Sequence, residues 1–511
     1  MLMESILLGL QTALQPENLL WCFAGVFLGT LIGVVPGIGA LAAISMLFPL
    51  TFHLAPTAAL IMLAGIWYGT TYGGSTAAIL LNVPGTPSSA VACLDGHPMA
   101  KNGRAGVALF MTTIASFVGG TVGIVIMMLF SPVIVVYALE FGSAEYFMLM
   151  LLGLIAAATI SFGSTAKSLT MITFGVLLGT VGLDGYTAVP RFDFGFPEFY
   201  NGISLMPLAM GTFGIAEVAA NIGRIAPQKF DRDIHGMRAM MPSRDDLRRS
   251  RGPLLRGTSL GSFFGALPGV GPAVAAFMAY AIEKRVAREP ERFGKGAIEG
   301  IVAPEAANNA ADQTAFIPTM TLGLPGSPSM AIMLGALMVQ GISPGPTLVG
   351  DHPDLFWGLV MSFWIGNLLL LVINIPLIGL WVRMLTIPYR LLYPTIIIFV
   401  CIGVYSIRLA PMDVWLVMGF GLLGYLMRVL EFSPAPLILG FVLGPLMEDH
   451  FRRAMLISRG DFTDFVERPI SATILVMIVT LIATRLWQVL RHHVRNRLAG
   501  TRGGKSFADG E

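Results

Sequence analysis

Glu305, Asn308 and Asn309 fall at i, i+3 and i+4, so a helix brings one carboxylate and two amides onto a single face, with Asp312, Gln313 and Thr314 directly following. Such a group can hold a cation through its oxygens or an anion through its amides, and polar side chains inside a membrane segment are functional candidates by default. A second polar run, Thr70, Thr71, Tyr72, Gly73, Gly74, Ser75 and Thr76, offers hydroxyls and glycines without fixed charge. An enzyme would need a nucleophile with a base beside it. His53, His97, His235, His352 and His450 all fall in expected loops or span ends, so no catalytic activity is read here. The chain lacks a GxxxxGK[ST] loop, which excludes ATP hydrolysis through that motif, and Gly37-Ile38-Gly39 has no strand before it to make a dinucleotide loop. Cys22, Cys93 and Cys401 stand far apart, with no CxxC pair, so neither disulfide nor metal cofactor is expected beyond the coupling cation considered below.

Both polar runs lead into breaks in apolar sequence, and the breaks occur twice. The first motif, Gly29 to Gly39 with Gly33, Pro36 and Gly37 between, recurs with identical spacing as Gly261 to Gly271 with Gly265, Pro268 and Gly269. The second, Asn82-Val83-Pro84-Gly85-Thr86-Pro87-Ser88, recurs as Gly323-Leu324-Pro325-Gly326-Ser327-Pro328-Ser329. Two motifs repeated in one order indicate an internal repeat. The first copy runs on to the basic loop at Lys101 and Arg104 and the second to the acidic Asp351 and Asp354, so the halves read as inverted across the membrane. Pro-Gly inside an apolar stretch leaves amides and carbonyls without helical partners, and in hydrocarbon such groups persist only where protein, water or a ligand satisfies them. Matched interruptions in two halves point to a secondary transporter with its site where the broken segments meet. Residues 257 to 283 carry basic flanks on both sides and are read as a re-entrant hairpin turning at Pro268-Gly269, with 25 to 52 as its counterpart; the alternative is a full span kinked at proline. Asp95, beside Gly96 and Pro98, is expected to cap a turn, while Glu217 and Arg428 read as span-end charges that snorkel. Glu448, Asp449 and His450 with Arg452 and Arg453 read as an interfacial polar network.

The elements that carry these groups are set by composition. Of 511 residues 55% are hydrophobic and only 12% charged, with a mean hydropathy of +0.75, about half the charge usual in soluble domains. Long stretches such as 106 to 139 are apolar on every face, which excludes a β-barrel and leaves an all-α polytopic membrane protein of roughly 10 to 12 membrane segments in two inverted repeats with broken or re-entrant helices. A net charge of +2 gives no reason to expect a nucleic-acid partner; membrane lipid is the expected surroundings. Charge placement supplies the topology. Residues 224 to 256 hold nine basic residues against four acidic, and the tail from Arg485 holds six against two, so both are expected to be cytoplasmic. The organisation expected is a first transmembrane repeat at 1–223, a basic linker at 224–256, a second repeat at 257–484 and a basic tail at 485–511. The N-terminal stretch with Glu4 and Glu17 lacks a basic leader region and is expected to belong to the mature chain.

Gly29 to Gly39, YGGSTAAILLNVPGTPSS (72–89), DGHPMAKNGRAG (95–106), EAANNAADQTAFIPTMTLGLPGSPS (305–329) and LILGFVLGPLMEDHFRRAM (437–455) together resemble the TctA-type large membrane subunit of the tripartite tricarboxylate transporters, over about residues 20 to 485. The resemblance implies a cation-coupled importer of the bacterial inner membrane, moving di- or tricarboxylates by Na⁺ or H⁺ symport together with a small transmembrane subunit and a periplasmic solute-binding protein. The residues expected at the substrate and ion site are Pro36, Gly37, Gly39, Thr70, Thr71, Gly73, Gly74, Ser75, Asn82, Pro84, Gly85, Thr86, Pro87 and Ser88 in the first half. Pro268, Gly269, Gly271, Asn308, Asn309, Asp312, Thr314, Pro325, Gly326, Ser327, Pro328 and Ser329 are their counterparts in the second, with Na⁺ expected near the Pro-Gly loops. A gradient-independent carboxylate channel or a scaffold subunit is the alternative that the Pro-Gly loops alone leave open.

Overall fold

A computed structural model of the protein describes residues 2–35, 39–160, 164–221, 240–385 and 389–503, so the expected turn at Pro36-Gly37 and the 224–239 part of the 224–256 segment lie outside the described residues. Helices α1 (Leu2–Ala13), α2 (Pro16–Val34), α3 (Ala40–Leu47) and α4 (Pro56–Leu81) open the chain, followed by α5 (Ala92–Met99), α6 (Ala105–Ala138), α7 (Ser143–Ile160) and α8 (Thr165–Gly179). A two-residue antiparallel pair, β1 (Gly182–Leu183) with β2 (Pro190–Arg191), is the one sheet among the described residues. After α9 (Leu205–Ala209) and α10 (Ala216–Asn221), joined by a π-helical turn, come α11 (Arg244–Gly265), α12 (Gly271–Val286), α13 (Glu299–Thr314) and α14 (Phe316–Leu322). The chain then forms α15 (Pro328–Val339), α16 (Pro346–Asp351), α17 (Pro353–Asn374), α18 (Ile378–Met384), α19 (Tyr389–Arg408), α20 (Pro411–Val429), α21 (Pro434–Ile457), α22 (Asp464–Glu467) and α23 (Pro469–Gly503).

The polarity of the bundle is that of a protein dissolved in lipid. Its most enclosed helices are the two that carry the polar runs: in α13 every residue after Glu299 is buried, and in α4 nearly all are. The large side chains left on the outside are apolar, Leu129, Phe130 and Val133 on α6, Trp415 and Leu422 on α20, Val476 and Leu486 on α23. Five helices among the described residues are long and apolar enough to cross a membrane, within Pro16–Val34, Ser88–Ala138, Pro353–Asn374, Pro411–Val429 and Pro469–Trp487, and shorter apolar helices accompany them. The chain is a multi-pass helical membrane protein.

Glycine spacing explains how the two buried helices are reached. Gly25, Gly29 and Gly33 of α2 lie on the backbone carbonyls of Met62, Ile66 and Thr70 in α4; Gly257, Gly261 and Gly265 of α11 lie the same way on Ala303, Ala307 and Ala311 in α13. A Cβ at any of the six would stand closer to a carbonyl oxygen than carbon and oxygen can approach. Small residues four apart let helix backbones touch where the hydrophobic effect supplies no drive between them. Thus the glycines leading each first motif serve close packing.

The 257–283 segment folds back on itself. Arg256 on α11 donates to Glu283 on α12 at 2.8 and 2.7 Å, a pairing that a continuous kinked span cannot make. Helix α11 also runs unbroken across residue 256, so the basic linker and the second repeat share one helix. Asp95 caps a turn, but a distant one: its Oδ1 accepts the amides of Gly294, Gly296 and Ala297 at 2.8–2.9 Å and its Oδ2 the Tyr280 hydroxyl at 2.9 Å, tying the first half to the loop that enters α13. Glu217 and Arg428 form an ion pair with each other across α10 and α20, where the sequence suggests two independent surface charges. The 448–453 cluster is the expected network: Arg191 and Arg452 each pair with Asp184 and Glu448, and Arg453 with Asp449.

Candidate substrate and ion site

Each second motif breaks its helix in the same manner. Helix α4 ends where Asn82 turns left-handed (φ 57°), and α14 ends where Gly323 does (φ 69°), the conformation that Gly and Asn reach at least cost. Beyond the proline, Thr86 Oγ1 accepts the Ser89 amide at 3.3 Å, and Ser327 Oγ accepts the Met330 amide at 3.3 Å. Gly85 rests against Gly74 and Gly326 against Ala315. The first motif then arrives: a Cβ on Gly39 would lie 3.8 Å from the Gly85 carbonyl, and one on Gly271 would lie 3.8 Å from the Gly326 carbonyl. In both halves the two broken segments therefore abut, and the Gly85 and Gly326 amides beside the breaks are taken up by the Gly74 carbonyl and the Thr319 hydroxyl.

The halves meet on α4 and α13. Thr71 Oγ1 donates to Asp312 Oδ2 at 3.0 Å, and Ser75 Oγ to Glu305 Oε1 at 2.7 Å. From α6, Ser116 reaches Glu305 Oε2 at 3.2 Å, with Asn308 Nδ2 at 3.5 Å from the same oxygen. Glu305 and Asp312 are each 1% exposed, and every hydrogen-bond partner found for them is a hydroxyl or amide; among the described residues no Lys, Arg or His pairs with either. Asp312 Oδ1 and Gln313 Oε1 are buried acceptors with no donor. Isolated charge in a low dielectric costs several kcal/mol, so these carboxylates are stable only when carrying a proton or facing a cation. Around them Tyr72 donates to Asn367 Oδ1 at 3.0 Å, and Asn367 Nδ2 reaches the Phe117 carbonyl and Thr121 hydroxyl at 3.0 Å.

Of the residues expected at the site, Thr71, Ser75, Asn308 and Asp312 converge directly on this cluster, and Asn309 bonds Asn308 beside it. Gly39, Gly74, Gly85, Thr86, Gly271, Gly326 and Ser327 form the paired breaks, with Ser88 Oγ 3.1 Å from Thr86 Oγ1. Others are turned elsewhere. Thr70 and Thr314 bond back to carbonyls of their own helices, at Trp67 and Ala310. Gly73 packs on α2, and Pro268 with Gly269 rests on Gly153 and Ala157 of α7, away from the carboxylates. Ser116, Thr121 and Asn367 escaped the sequence reading. Asn367, alone and polar in the apolar run WIGNLLLL, is a signal that intramembrane polarity could have flagged; Ser116 in TIASFVGG is indistinguishable from a packing residue.

Residues 19–439 match the tripartite tricarboxylate transporter TctA family. An Agrobacterium vitis protein described as an uncharacterized 52.8 kDa protein in the TAR-I ttuC' 3'region is 50% identical over 492 residues, 96% of this chain and 97% of that one. A second from the same organism, described as an uncharacterized protein in the TAR-II ttuC' 3'region, is 57% identical over 215 residues, 42% of this chain and 89% of that one. No solved structure matches the chain.

Proposed function

The chain belongs to the tripartite tricarboxylate transporter TctA family, and from that premise we propose that it is the large membrane subunit of a binding-protein-dependent importer that moves di- or tricarboxylates by cation symport. The observation that carries this reading is the pair of sealed carboxylates, Glu305 and Asp312, at the meeting of two similarly broken segments, with no cationic side chain among the described residues to neutralise them. A transporter that couples two solutes needs a group whose charge is acceptable only when the cation is aboard. Glu305 and Asp312 meet that requirement, with Thr71, Ser75, Ser116 and Asn308 as neutral ligands that hold the carboxylates in place without competing for them. The adjoining Pro-Gly breaks each lead into a new helix start, whose dipole suits a carboxylate substrate. Movement of one set of broken segments against the other would then expose the site to each side in turn. The reading places the complex in the bacterial inner membrane, with a small membrane subunit and a periplasmic solute-binding protein as partners and the 224–256 loop and C-terminus in the cytoplasm.

The test is uptake of labelled mono-, di- and tricarboxylates into proteoliposomes holding all three proteins, with Na⁺ and H⁺ gradients imposed separately. Accumulation that requires one gradient identifies the cation and supports symport; equilibration indifferent to either gradient would mean a channel.

A further inference from the structure

One cavity lies outside the central cluster and carries polar groups on its walls. It encloses about 680 Å³, within the size range of small-molecule sites, and it opens against the break of the second half. One wall is Leu322 and Gly323, over which the Gly341–Thr347 turn is folded: the Gly345 amide donates to the Met320 carbonyl at 3.3 Å, and the Pro344 carbonyl stands 3.3 Å from where a Cβ on Gly323 would be. The opposite wall is Tyr146 of α7 with His450 and Arg453 of α21.

The chemistry of these walls is one-sided. Arg453 is the only ionised residue lining the cavity; no carboxylate does so among the described residues. Its Nε and Nη2 are taken up by Asp449, at 3.2 and 3.0 Å, and the Tyr186 hydroxyl engages it as well, but a guanidinium carries five N–H donors, so donors remain for a second oxyanion. The His450 ring stacks on Tyr146 with centroids 5.0 Å apart, and its buried Nδ1 has no hydrogen-bond partner. Ser343 and Thr347 add hydroxyls from the facing turn. In the first half the corresponding turn, Lys101 to Arg104, is instead pinned to α11 by the 2.7 Å ion pair of Arg104 with Asp246.

We infer that this cavity is the receiving site for the carboxylate substrate, on the face of the acidic loops, with Arg453 binding one carboxylate group before it passes the Gly323 break toward the centre. The assignment rests on the transport reading above. Citrate is the probe, titrated into the purified detergent-solubilised complex and followed in the uptake assay for the wild type, Arg453→Gln, Arg453→Lys, and Ser343→Trp, which fills the cavity from the wall that does not touch Asp449. Losing a charge-assisted contact should raise both the citrate Kd and the uptake KM about ten- to a hundredfold in Arg453→Gln, with partial recovery in Arg453→Lys and a similar loss in Ser343→Trp. Thermal unfolding of Arg453→Lys should stay near that of the wild type. Unchanged Kd and KM in Arg453→Gln and Ser343→Trp, in proteins that still take up citrate, would overturn the cavity assignment and leave the transport reading standing. Absence of binding and flux in the wild type, for citrate and for mono- and dicarboxylates alike, would overturn both.

Discussion

Asp312 and Thr71 are the residues on which the reading turns, because each belongs to a different half and they touch. If Asp312 holds a cation in transit, Asp312→Asn keeps its size and the bond from Thr71 but removes the charge. Gradient-driven accumulation should fall about ten- to a hundredfold while the protein remains folded. Glu305→Gln should do the same, whereas Thr71→Val, which removes only a neutral ligand, should cost far less. Equal accumulation in Asp312→Asn and wild type, measured in proteoliposomes, would remove the carboxylate from the mechanism. Asn308 and Asn309 illustrate how far residue types speak for themselves: their spacing announces a shared face with Glu305, and the structure places Asn308 there. The sequence marks Ser75 in its polar run but is silent on Ser116; the two complete the ring around Glu305 from two other helices.

At the scale of the element, paired glycines and one buried carboxylate hold the breaks in register. Gly29→Ala and Gly261→Ala each drive a methyl into a backbone carbonyl that cannot move away, and each should lower unfolding stability by about 1–3 kcal/mol. Gly350→Ala, where a Cβ meets nothing within 4 Å, serves as the neutral comparison in the same thermal melts. Asp95→Ala leaves the buried Ala297 amide without its acceptor and frees two further amides and a tyrosine hydroxyl that water can partly satisfy; its loss should be about 1–3 kcal/mol. On the loop beyond α8, the amide of Thr187, then that of Tyr186, hold the Asp184 carboxyl below the usual aspartate range. A depressed folded pKa contributes stability that is fully present above the unfolded value of ~3.9 and is lost as pH falls through the folded pKa. Pepsin should therefore spare the 184–191 loop near pH ~4 in the wild type but cut it there in Asp184→Asn, with the difference between the two narrowing as the pH falls further; equal cleavage near pH ~4 would show that the carboxylate does not hold the loop.

For the whole molecule the equivalences line up: glycine ladders on α4 and α13, left-handed caps at Asn82 and Gly323, and first-motif glycines at equal distance from second-motif carbonyls. Two copies of one unit would show such agreement, and with Lys101 and Arg104 after the first and Asp351 and Asp354 after the second we propose that the copies lie in opposite orientation across the bilayer. Single cysteines replacing Lys101 and Asp354 should be labelled by an impermeant maleimide from opposite sides in oriented vesicles. Labelling of both from one side would make the repeats parallel and remove the basis for an inverted-repeat mechanism.

Class, repeated motifs, helix breaks and the absence of fixed positive charge in the motifs were legible in the sequence, because apolar run length, glycine and proline act on the chain within a few residues of themselves. Glu305 and its asparagines were legible for the same reason, sharing one turn of helix. Which surfaces meet was not: Asp95 with the 294–297 amides, Thr71 with Asp312, Arg453 across a cavity from Pro344, and Glu217 with Arg428 are partners far apart in the chain. A hydroxyl or carboxylate carries no local mark of the group it will face, and only the packing of glycine-lined helices brings those groups within a hydrogen bond of each other.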